Sequence, residues 1–308
     1  MRARRLAVML SFVATAVAGG RAGAQTQDLG HKTLGTLGLD AGSQSPTGVY
    51  AIDAIAAYRA DRLVDRNGVV VPVAIEARAF VNVFGVNGSY ELPRLHTFVG
   101  AAFTAPVARV SLATDDPRAS LDDFGFGDLY VQPVRLGWKP WGNDLGVGYG
   151  FYAPTGHRAP GGTDGVGTGQ WTHQFSAGGT VYFDRAQRWR LSALASYNRN
   201  EPKLDRDLRR GDTVQLQGGA GARLAKLVDV GVVGYALWQV MDDQGSALPP
   251  LLVGARDVDY GLGGELDVNV TALRCKLTVR YTHDVAARSR PFGGLVFVAL
   301  GFSVWSAR

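Results

Sequence analysis

Cysteine is almost absent from this chain of 308 residues, which has a single one, Cys275. No disulfide can form within the chain, and no zinc site can be built from clustered cysteines. The sequence beyond position 24 also has no run of 18 apolar residues, which excludes a transmembrane helix there. It has no Pro/Ser/Gln-rich linker and no block of like charge, so residues 25–308 show no sign of a domain boundary.

Sequence motifs that are typical of soluble enzymes are missing too. There is no G-x-G-x-x-G after a strand, no phosphate-binding G-x-x-x-x-G-K-[ST], no H-E-x-x-H and no G-x-S-x-G. The histidines are scattered, with no pair at ligand spacing: His31, His96, His157, His173 and His283. The sequence therefore predicts neither an enzyme nor a bound cofactor or metal. A lipid-modifying enzyme that uses His173 stays as a third alternative, and an interfacial role for this histidine is favoured over it.

The first 24 residues have the pattern of an export signal. Arg2, Arg4 and Arg5 precede an apolar run over 6–18, and Ala22-Gly23-Ala24 provides small residues for cleavage. The apolar run is shorter than the roughly 20 residues that span a bilayer. We expect cleavage near Ala24 and export across the inner membrane of a Gram-negative bacterium.

Removal of this segment leaves a nearly neutral chain. The formal charge is +5, and the first 24 residues contribute four arginines and no acid, which leaves +1 for residues 25–308. The remaining sequence has no sustained basic stripe. Nucleic acid is therefore excluded as a partner.

What the remaining chain has in abundance is two-residue alternation. Over residues 257–270 the even positions are apolar or small, whereas the odd positions carry Asp259, Glu265 and Asp267. Residues 273–281 continue the pattern with the phase exchanged. Glycine (41 residues) and β-branched residues recur too often for long helices. Period two predicts β-strands with one apolar face and one polar face.

The spacing of these strands predicts a barrel that spans a membrane. Twelve strands are expected at 49–61, 72–85, 94–107, 126–138, 145–154, 170–184, 188–199, 212–225, 228–241, 255–270, 273–285 and 291–305. Connections alternate between long and mostly short, and both termini lie on the short side, which is the layout of outer-membrane barrels. We therefore predict an all-β protein, an antiparallel transmembrane outer-membrane β-barrel of about 12 strands.

Aromatic residues near the strand ends agree with this fold. One group lies beside the short turns or the C-terminus: Trp138, Trp141, Phe183, Trp189 and Trp305. A second group lies toward the long loops: Tyr152, Trp171, Tyr197, Trp238, Tyr281 and Phe292. Two such bands are typical of the interfacial girdles of a membrane barrel.

Charged residues on the polar phase are expected to face the lumen, because Arg or Lys facing lipid costs roughly 2–4 kcal/mol at the bilayer midplane. The predicted lumen-lining residues are Asp53, Arg59, Glu76, Arg78, Asp257, Asp259, Glu265, Asp267, Arg274, Lys276 and Arg280. They either brace the lumen or line a permeation path. Twelve strands lie between packed eight-stranded barrels and open 16-stranded porins, so a narrow or plugged path is expected.

The hairpin formed by the tenth and eleventh predicted strands allows a register prediction. If Val270 and Thr271 form a two-residue turn, Asp267 lies opposite Arg274 and Glu265 lies opposite Lys276. The outward side chains of this hairpin would be Val258, Leu262, Leu266, Leu277 and Val279.

Several stretches of the sequence resemble one family in order along the chain. They are 48–72 (GVYAIDAIAAYRADRLVDRNGVVVP), 125–138 (GFGDLYVQPVRLGW), 149–156 (YGFYAPTG), 171–184 (WTHQFSAGGTVYFD), 211–219 (GDTVQLQGG), 233–245 (VGYALWQVMDDQG) and 280–284 (RYTHD). The chain resembles the outer-membrane proteins and transporters associated with the meta-cleavage pathway of phenol degradation. This resemblance implies an outer-membrane barrel that moves hydrophobic or aromatic compounds, and it carries over no binding residues.

Together these features predict three parts: a signal peptide (1–24), a periplasmic segment or partial plug (25–47) and the barrel (48–308). The predicted function is passive transport of small hydrophobic or aromatic solutes, and the alternative is a structural or surface-interaction barrel without transport. Outer-membrane lipid and the barrel-assembly machinery are the expected partners besides the solute. The oligomeric state is left open.

Overall fold

The computed structural model describes residues 33–114, 120–158, 165–248 and 253–307. Its strands form one antiparallel sheet. Their bounds are β1 Gly48–Val64, β2 Ile75–Leu92, β3 Thr97–Thr114, β4 Leu121–Phe126, β5 Leu129–Trp138, β6 Asp144–Ala153, β7 Thr172–Tyr182, β8 Trp189–Asn200, β9 Thr213–Ala225, β10 Val228–Gln239, β11 Val258–Val270, β12 Cys275–Arg288 and β13 Arg290–Ser306. In the part of the chain described, no helix is long and apolar enough to cross a membrane.

The sheet closes on itself. Neighbouring strands in sequence pair with one another, except that β4 and β5 both pair with β3, and β1 pairs with β13. The segments β4 and β5 follow one another along the same partner, β3, and are separated only by Gly127 and Asp128. They are two halves of one strand, interrupted beside Pro106, whose carbonyl accepts a hydrogen bond from the Gly127 N–H at 2.9 Å. The protein is therefore a twelve-stranded closed barrel, and the predicted fold class is confirmed.

The connections differ between the two ends of the barrel. At the short-turn end β2 joins β3 through Pro93–Leu95, and β11 joins β12 through Thr271–Leu273. The opposite end, called the long-loop end, carries the connections 154–171, 201–212 and 240–257. The prediction was wrong for β2 and β3, which extend past 85 and 107 because alternation continues along both strands.

The predicted register of the β11–β12 hairpin was wrong. Thr271–Leu273 forms a helical turn that Arg274 closes with a φ of 50°, so the loop has four residues instead of two. Glu265 consequently lies opposite Arg280, and Asp267 lies opposite Thr278. Arg274 belongs to the exposed turn and does not line the lumen.

From β6 to β12 the two faces of the wall follow the usual rule. On β11, Leu262 and Leu266 are exposed on the outside, whereas Asp259, Glu265 and Asp267 are buried inside. The apolar outer face is compatible with lipid. The polar side chains are enclosed inside, where they can pair with one another.

Strands β1–β4 depart from this rule in that charged side chains also point outward, and we call them the inverted sector. The Tyr58 hydroxyl reaches the Asp284 carboxylate, across β13, at 3.4 Å, so the even positions of β1 point inward. The buried Ala54 and Ala56 share this inward phase. Asp53 lies between Phe84 of β2 and Leu300 of β13, both exposed on the outer face.

Four predicted lumen residues are therefore on the opposite face. Asp53, Arg59, Glu76 and Arg78 all point outward, and the prediction was wrong for them. The physical reason is that pairing with β13 and β3 fixes the phase of β1 and β2. This pairing places alanines inside and the charged side chains outside.

Candidate functional site: the barrel lumen

The lumen contains a stretch of the chain that precedes β1. Residues 33–47, called the N-terminal segment, contact the inner faces of strands all around the barrel. The Gly35 N–H donates to Gln217 Oε1 at 3.0 Å, and the Gly42 N–H donates to Ser192 Oγ at 2.8 Å. The side chain of Arg135 donates to the Ser43 carbonyl at 2.7 Å. Much of this binding goes through backbone groups, which explains why the sequence left both a periplasmic segment and a partial plug open for this stretch.

One apolar side chain anchors the segment. Leu39 has no exposed surface and lies against Gly219, Gly221 and Gly231 on the inner faces of β9 and β10. A Cβ atom at Gly231 would come within 2.6 Å of the Leu39 Cδ2 atom. The three glycines therefore form a niche that only a wall without side chains can offer.

Next to this niche, the partly exposed Asp40 joins a charge network whose members Arg190, Asp229 and Asp267 are buried. Its carboxylate contacts Lys276, and Arg190 Nε lies 3.3 Å from Asp40 Oδ1. Lys276 also pairs with Asp267 at 2.8 Å, and Arg190 lies 3.4 Å from Asp229. Burial favours the neutral form of Asp40, but Lys276 and Arg190 outweigh it and hold the pKa of this carboxyl below its usual value.

A second ion pair lies farther along the same wall. Arg280 Nε donates to Glu265 Oε2 at 2.7 Å, and both side chains are almost completely buried. The same carboxylate accepts the Leu39 N–H at 3.1 Å, and Arg280 donates to the Gly35 carbonyl at 3.1 Å. This ion pair thus binds the backbone of the N-terminal segment directly.

Uncharged polar side chains line the rest of this side of the lumen. We call the inward faces of β7–β12 the polar wall. Gln174 donates to Asn198 at 2.8 Å, and Thr180 donates to Ser192 at 2.8 Å. Ser43 of the segment lies 2.8 Å from Thr180. These hydroxyls and amides supply donors and acceptors along the barrel axis.

The opposite side of the lumen is apolar. We call the inward faces of β13, β1 and β2 the apolar arc. Its buried cluster consists of Ala54, Ala56, Leu295, Phe297 and Ala299, with Ile52, Tyr58 and Val81 packed against it. The guanidinium of Arg280 lies 5.0 Å from the centre of the Phe297 ring, where the arc meets the polar wall.

Toward the long-loop end, acidic groups meet tyrosines and arginines. Asp284 accepts hydrogen bonds from the hydroxyls of Tyr58 and Tyr235. Arg290 lies 3.4 Å from Asp257 and 3.2 Å from Asp259. The structure thus places Asp257, Asp259, Glu265, Asp267, Lys276 and Arg280 inside the barrel.

Sequence reasoning missed several residues that complete the lumen. Asp40 precedes the strands, and Arg190, Asp229, Tyr235 and Asp284 fall on the inward phase of β8, β10 and β12. The alternation of those strands held the signal for the last four residues. No local pattern identifies Asp40, because its partners are distant in sequence.

The two ends of the lumen differ, because loops cover one end and a cavity opens at the other. At the long-loop end the loops bind one another: Asp128 accepts the N–H groups of Gly156 and Thr168 at 2.8 Å, and Lys203 donates to the Thr168 carbonyl at 2.8 Å. A cavity of about 770 Å³ opens at the short-turn end, where the segment enters the barrel. Its lining comprises Pro46, Thr47, Glu91, His96, Phe98, Trp138, Lys139, Pro140 and Ala307.

The aromatic and histidine residues at the rims lie mostly outside. Trp141, Phe183, Trp189 and Trp305 are exposed at the short-turn end, as the girdle interpretation requires. Tyr152 is an exception, because it is buried inside, 4.6 Å from the ring of Tyr130.

His173 shares the outer face of the wall with Phe151, its direct neighbour on β6. Its Nδ1 atom lies 2.9 Å from the Tyr149 hydroxyl, and the two rings are stacked. These contacts favour the interfacial role over catalysis. The described residues contain no group of three or more potential metal ligands.

Comparison with known proteins assigns the chain to a family. The family model described as "Putative MetA-pathway of phenol degradation" matches residues 60–300. The chain belongs to this family. The resemblance found in the sequence is thereby confirmed, whereas no curated protein matches the sequence significantly.

Solved structures of other proteins have the same fold as this chain. The chain is similar to an outer membrane channel from Pseudomonas putida F1, with a TM-score of 0.73, 14% identity and coverage of 84% of this chain and 96% of that chain. It is also similar to the transport unit of the autotransporter AIDA-I from Escherichia coli, with a TM-score of 0.52, 10% identity and coverage of 84% and 90%. At these identities the likeness establishes the outer-membrane barrel fold alone.

Proposed function

We propose that the protein is a passive outer-membrane channel for small, weakly polar aromatic or hydrophobic solutes. The observation that carries the proposal is the two-sided lumen, in which the apolar arc faces the polar wall. An aromatic ring with one hydroxyl group would lie against Phe297 and Leu295 while its hydroxyl bonds to the polar wall. Membership in a family named for phenol degradation supports this solute class.

The N-terminal segment acts in this proposal as a plug that must move. It fills the space between the two sides. Ion pairs and hydrogen bonds, and no covalent cross-link, hold it against the wall. We place the long-loop end outside the cell and the short-turn end in the periplasm, as in other outer-membrane barrels. Solutes would then leave through the 770 Å³ cavity beside Phe98 and Lys139.

A reversible disulfide tests whether the plug moves. Ser43 and Thr180 touch through their hydroxyl oxygens at 2.8 Å, so Ser43→Cys with Thr180→Cys should place two sulfurs within bonding reach. The pair is built in a Cys275→Ser background, so that no third thiol is present. In planar bilayers the oxidised protein should conduct little, and reduction should restore the conductance of the background protein.

Two controls separate the parts of this proposal. The single variant Ser43→Cys should behave alike with and without reductant. If the locked barrel conducts as well as the reduced one, the segment is not the gate. If neither conducts, and a deletion strain takes up phenol and toluene undiminished, the protein is not a channel.

Contacts between the described parts of the long loops favour one rival function. Besides the contacts of Asp128 and Lys203, Arg209 of one loop pairs through its backbone with Gln244 of the next, and Ser246 binds the Asp207 carboxylate. Such a rigid cap could bind a partner at the cell surface. The deletion strain with normal solute uptake is the result that would favour this structural or surface-interaction function.

A further inference from the structure

The inverted sector places arginines on the outer wall, away from the lumen and therefore unused by transport. Arg59 and Arg78 are directly opposed on β1 and β2. Both approach one oxygen of Glu76, at 2.8 and 2.6 Å. Like charges directly opposite one another destabilise a sheet, and one carboxylate cannot neutralise two guanidinium groups.

A third guanidinium lies one strand farther on. Arg109 of β3 binds Asp122 of β4 through two nitrogens, at 2.9 and 2.7 Å. Its neighbour across the sheet is Phe80, which lies one outward position from Arg78 on β2. We call Arg59, Arg78, Arg109, Glu76 and Asp122 the arginine patch, which carries a net charge of +1. The three arginine side chains are 58–70% exposed, so most of their N–H groups face outward unbonded to these two carboxylates.

The patch lies at the level of the outer aromatic girdle. Arg59 lies opposite Gly294, and Gly294 lies opposite His283, whose ring packs edge-on against Phe292. One row nearer the membrane centre the outward residues are Ala57, Phe80, Arg109 and Phe124. The row below that one contains Ile55, Asn82 and Val107. Arg59, Arg78 and Asp122 therefore lie above a row in which Arg109 is flanked by phenylalanines, and mostly apolar surface follows below it.

Phosphate groups above acyl chains are the chemistry that matches this order. Guanidinium binds phosphate through paired, charge-assisted hydrogen bonds, and the exposed Phe80 and Phe124 rings offer surface for acyl chains. We propose that the arginine patch binds a phosphorylated glycolipid of the outer leaflet. Glu76 and Asp122 hold the guanidinium groups in position when the site is empty.

Elsewhere the outer wall offers a matched control. Arg199 of β8 shares its outward phase with Tyr197, is 58% exposed and pairs with Glu201 at 3.4 Å. It resembles Arg78 in exposure and in having an acidic partner. No second arginine lies opposite it, because its neighbour on β7 is His173.

The test measures binding of diphosphorylated lipid A to the detergent-solubilised full chain by native mass spectrometry. The double variant Arg59→Gln/Arg78→Gln should lose affinity by about tenfold or more, since it removes the charge-assisted hydrogen bonds of two guanidinium groups. Arg199→Gln should bind as the parent does. Glu76→Gln should bind more tightly, because it frees both guanidinium groups, and this gain is a result that a purely structural patch would not give.

Three results would overturn the proposal. Equal binding of lipid A with its phosphates removed would show that the acyl chains alone are recognised. Competition by inorganic phosphate at the same concentration as the lipid would indicate a free-anion site. An equal loss in Arg199→Gln would show that total charge, and not the patch, decides binding. Heat-modifiable migration of every variant on gels verifies that each barrel is folded.

Discussion

The inverted sector and the β6–β12 sector distribute charge in opposite ways. In β6–β12 ion pairs such as Glu265–Arg280 are buried inside, and outward residues such as Leu266 are apolar. In the inverted sector alanines lie inside, and Arg59 and Arg78 lie outside. The comparison teaches that the phase of a barrel strand is set by its pairing with neighbours, and that charged residues are tolerated outside where they reach the polar interface or, like Asp53, find a partner on the same face.

The largest expected effect comes from breaking an inner ion pair. Arg280→Met leaves Glu265 buried without its cation, which should lower the free energy of unfolding by about 3–5 kcal/mol. Arg78→Met in the inverted sector should leave the free energy of unfolding unchanged within error, because an exposed ion pair such as Arg78–Glu76 contributes little. Urea unfolding in detergent, followed by gel shift, measures both. Equal losses would mean that the two sectors are equally screened.

A charge placed on the outer face should show a smaller difference between the sectors. Leu266→Arg puts a cation among apolar neighbours such as Val279 and should destabilise the barrel by about 2–4 kcal/mol in bilayers. Phe80→Arg, beside the arginine patch, should cost no more than about 1 kcal/mol. Refolding into lipid vesicles measures both. A larger loss at Phe80 would contradict the assigned membrane level.

The pair Asp53–Asn82 tests the inverted sector at its deepest point. Asn82 donates to Asp53 at 2.7 Å, with Ile55 and Phe84 exposed beside them on the outer face. Asn82→Leu alone should lower stability by about 1 kcal/mol, because it strands a carboxylate facing lipid. The double change with Asp53→Leu should recover that loss. If the double variant is the weaker one, another group binds this pair in the membrane.

The smallest expected effect concerns pH and the N-terminal segment. The pKa of Asp40 is lowered in the folded protein, so its contribution to stability is present above the usual aspartate value of about 3.9. That contribution is lost as the pH falls through the lowered pKa. A fluorophore on Ser45→Cys in the Cys275→Ser background should report constant burial from pH 8 to 5 and release only in stronger acid. Asp40→Asn should abolish this acid step, and a step that persists would assign it to another carboxyl.

Alternation and loop spacing predicted the strands, because period two is a local property of the chain. They could not predict the phase of β1, where Ala54 and Ile55 are both apolar and the charges of Asp53 and Arg59 suggest the wrong face. They also could not predict the turn after Val270, because a four-residue turn with Arg274 at positive φ leaves the flanking alternation unchanged. The contacts of Asp40 join residues more than a hundred positions apart, beyond the range of any sequence pattern.

The pairing of β1 with β13 determines when this molecule can be completed. Gly48 lies opposite Ser306, so the wall can close only after the last strand has been made and pairs with the first. Once the wall has closed, residues 33–47 can reach the interior only through an end of the barrel, since a closed wall offers no side entrance. If the segment already lies inside when β1 meets β13, closure of the wall and enclosure of the segment are one assembly event. The order of synthesis, from the N-terminus to the C-terminus, makes the N-terminal segment available before the closed barrel exists.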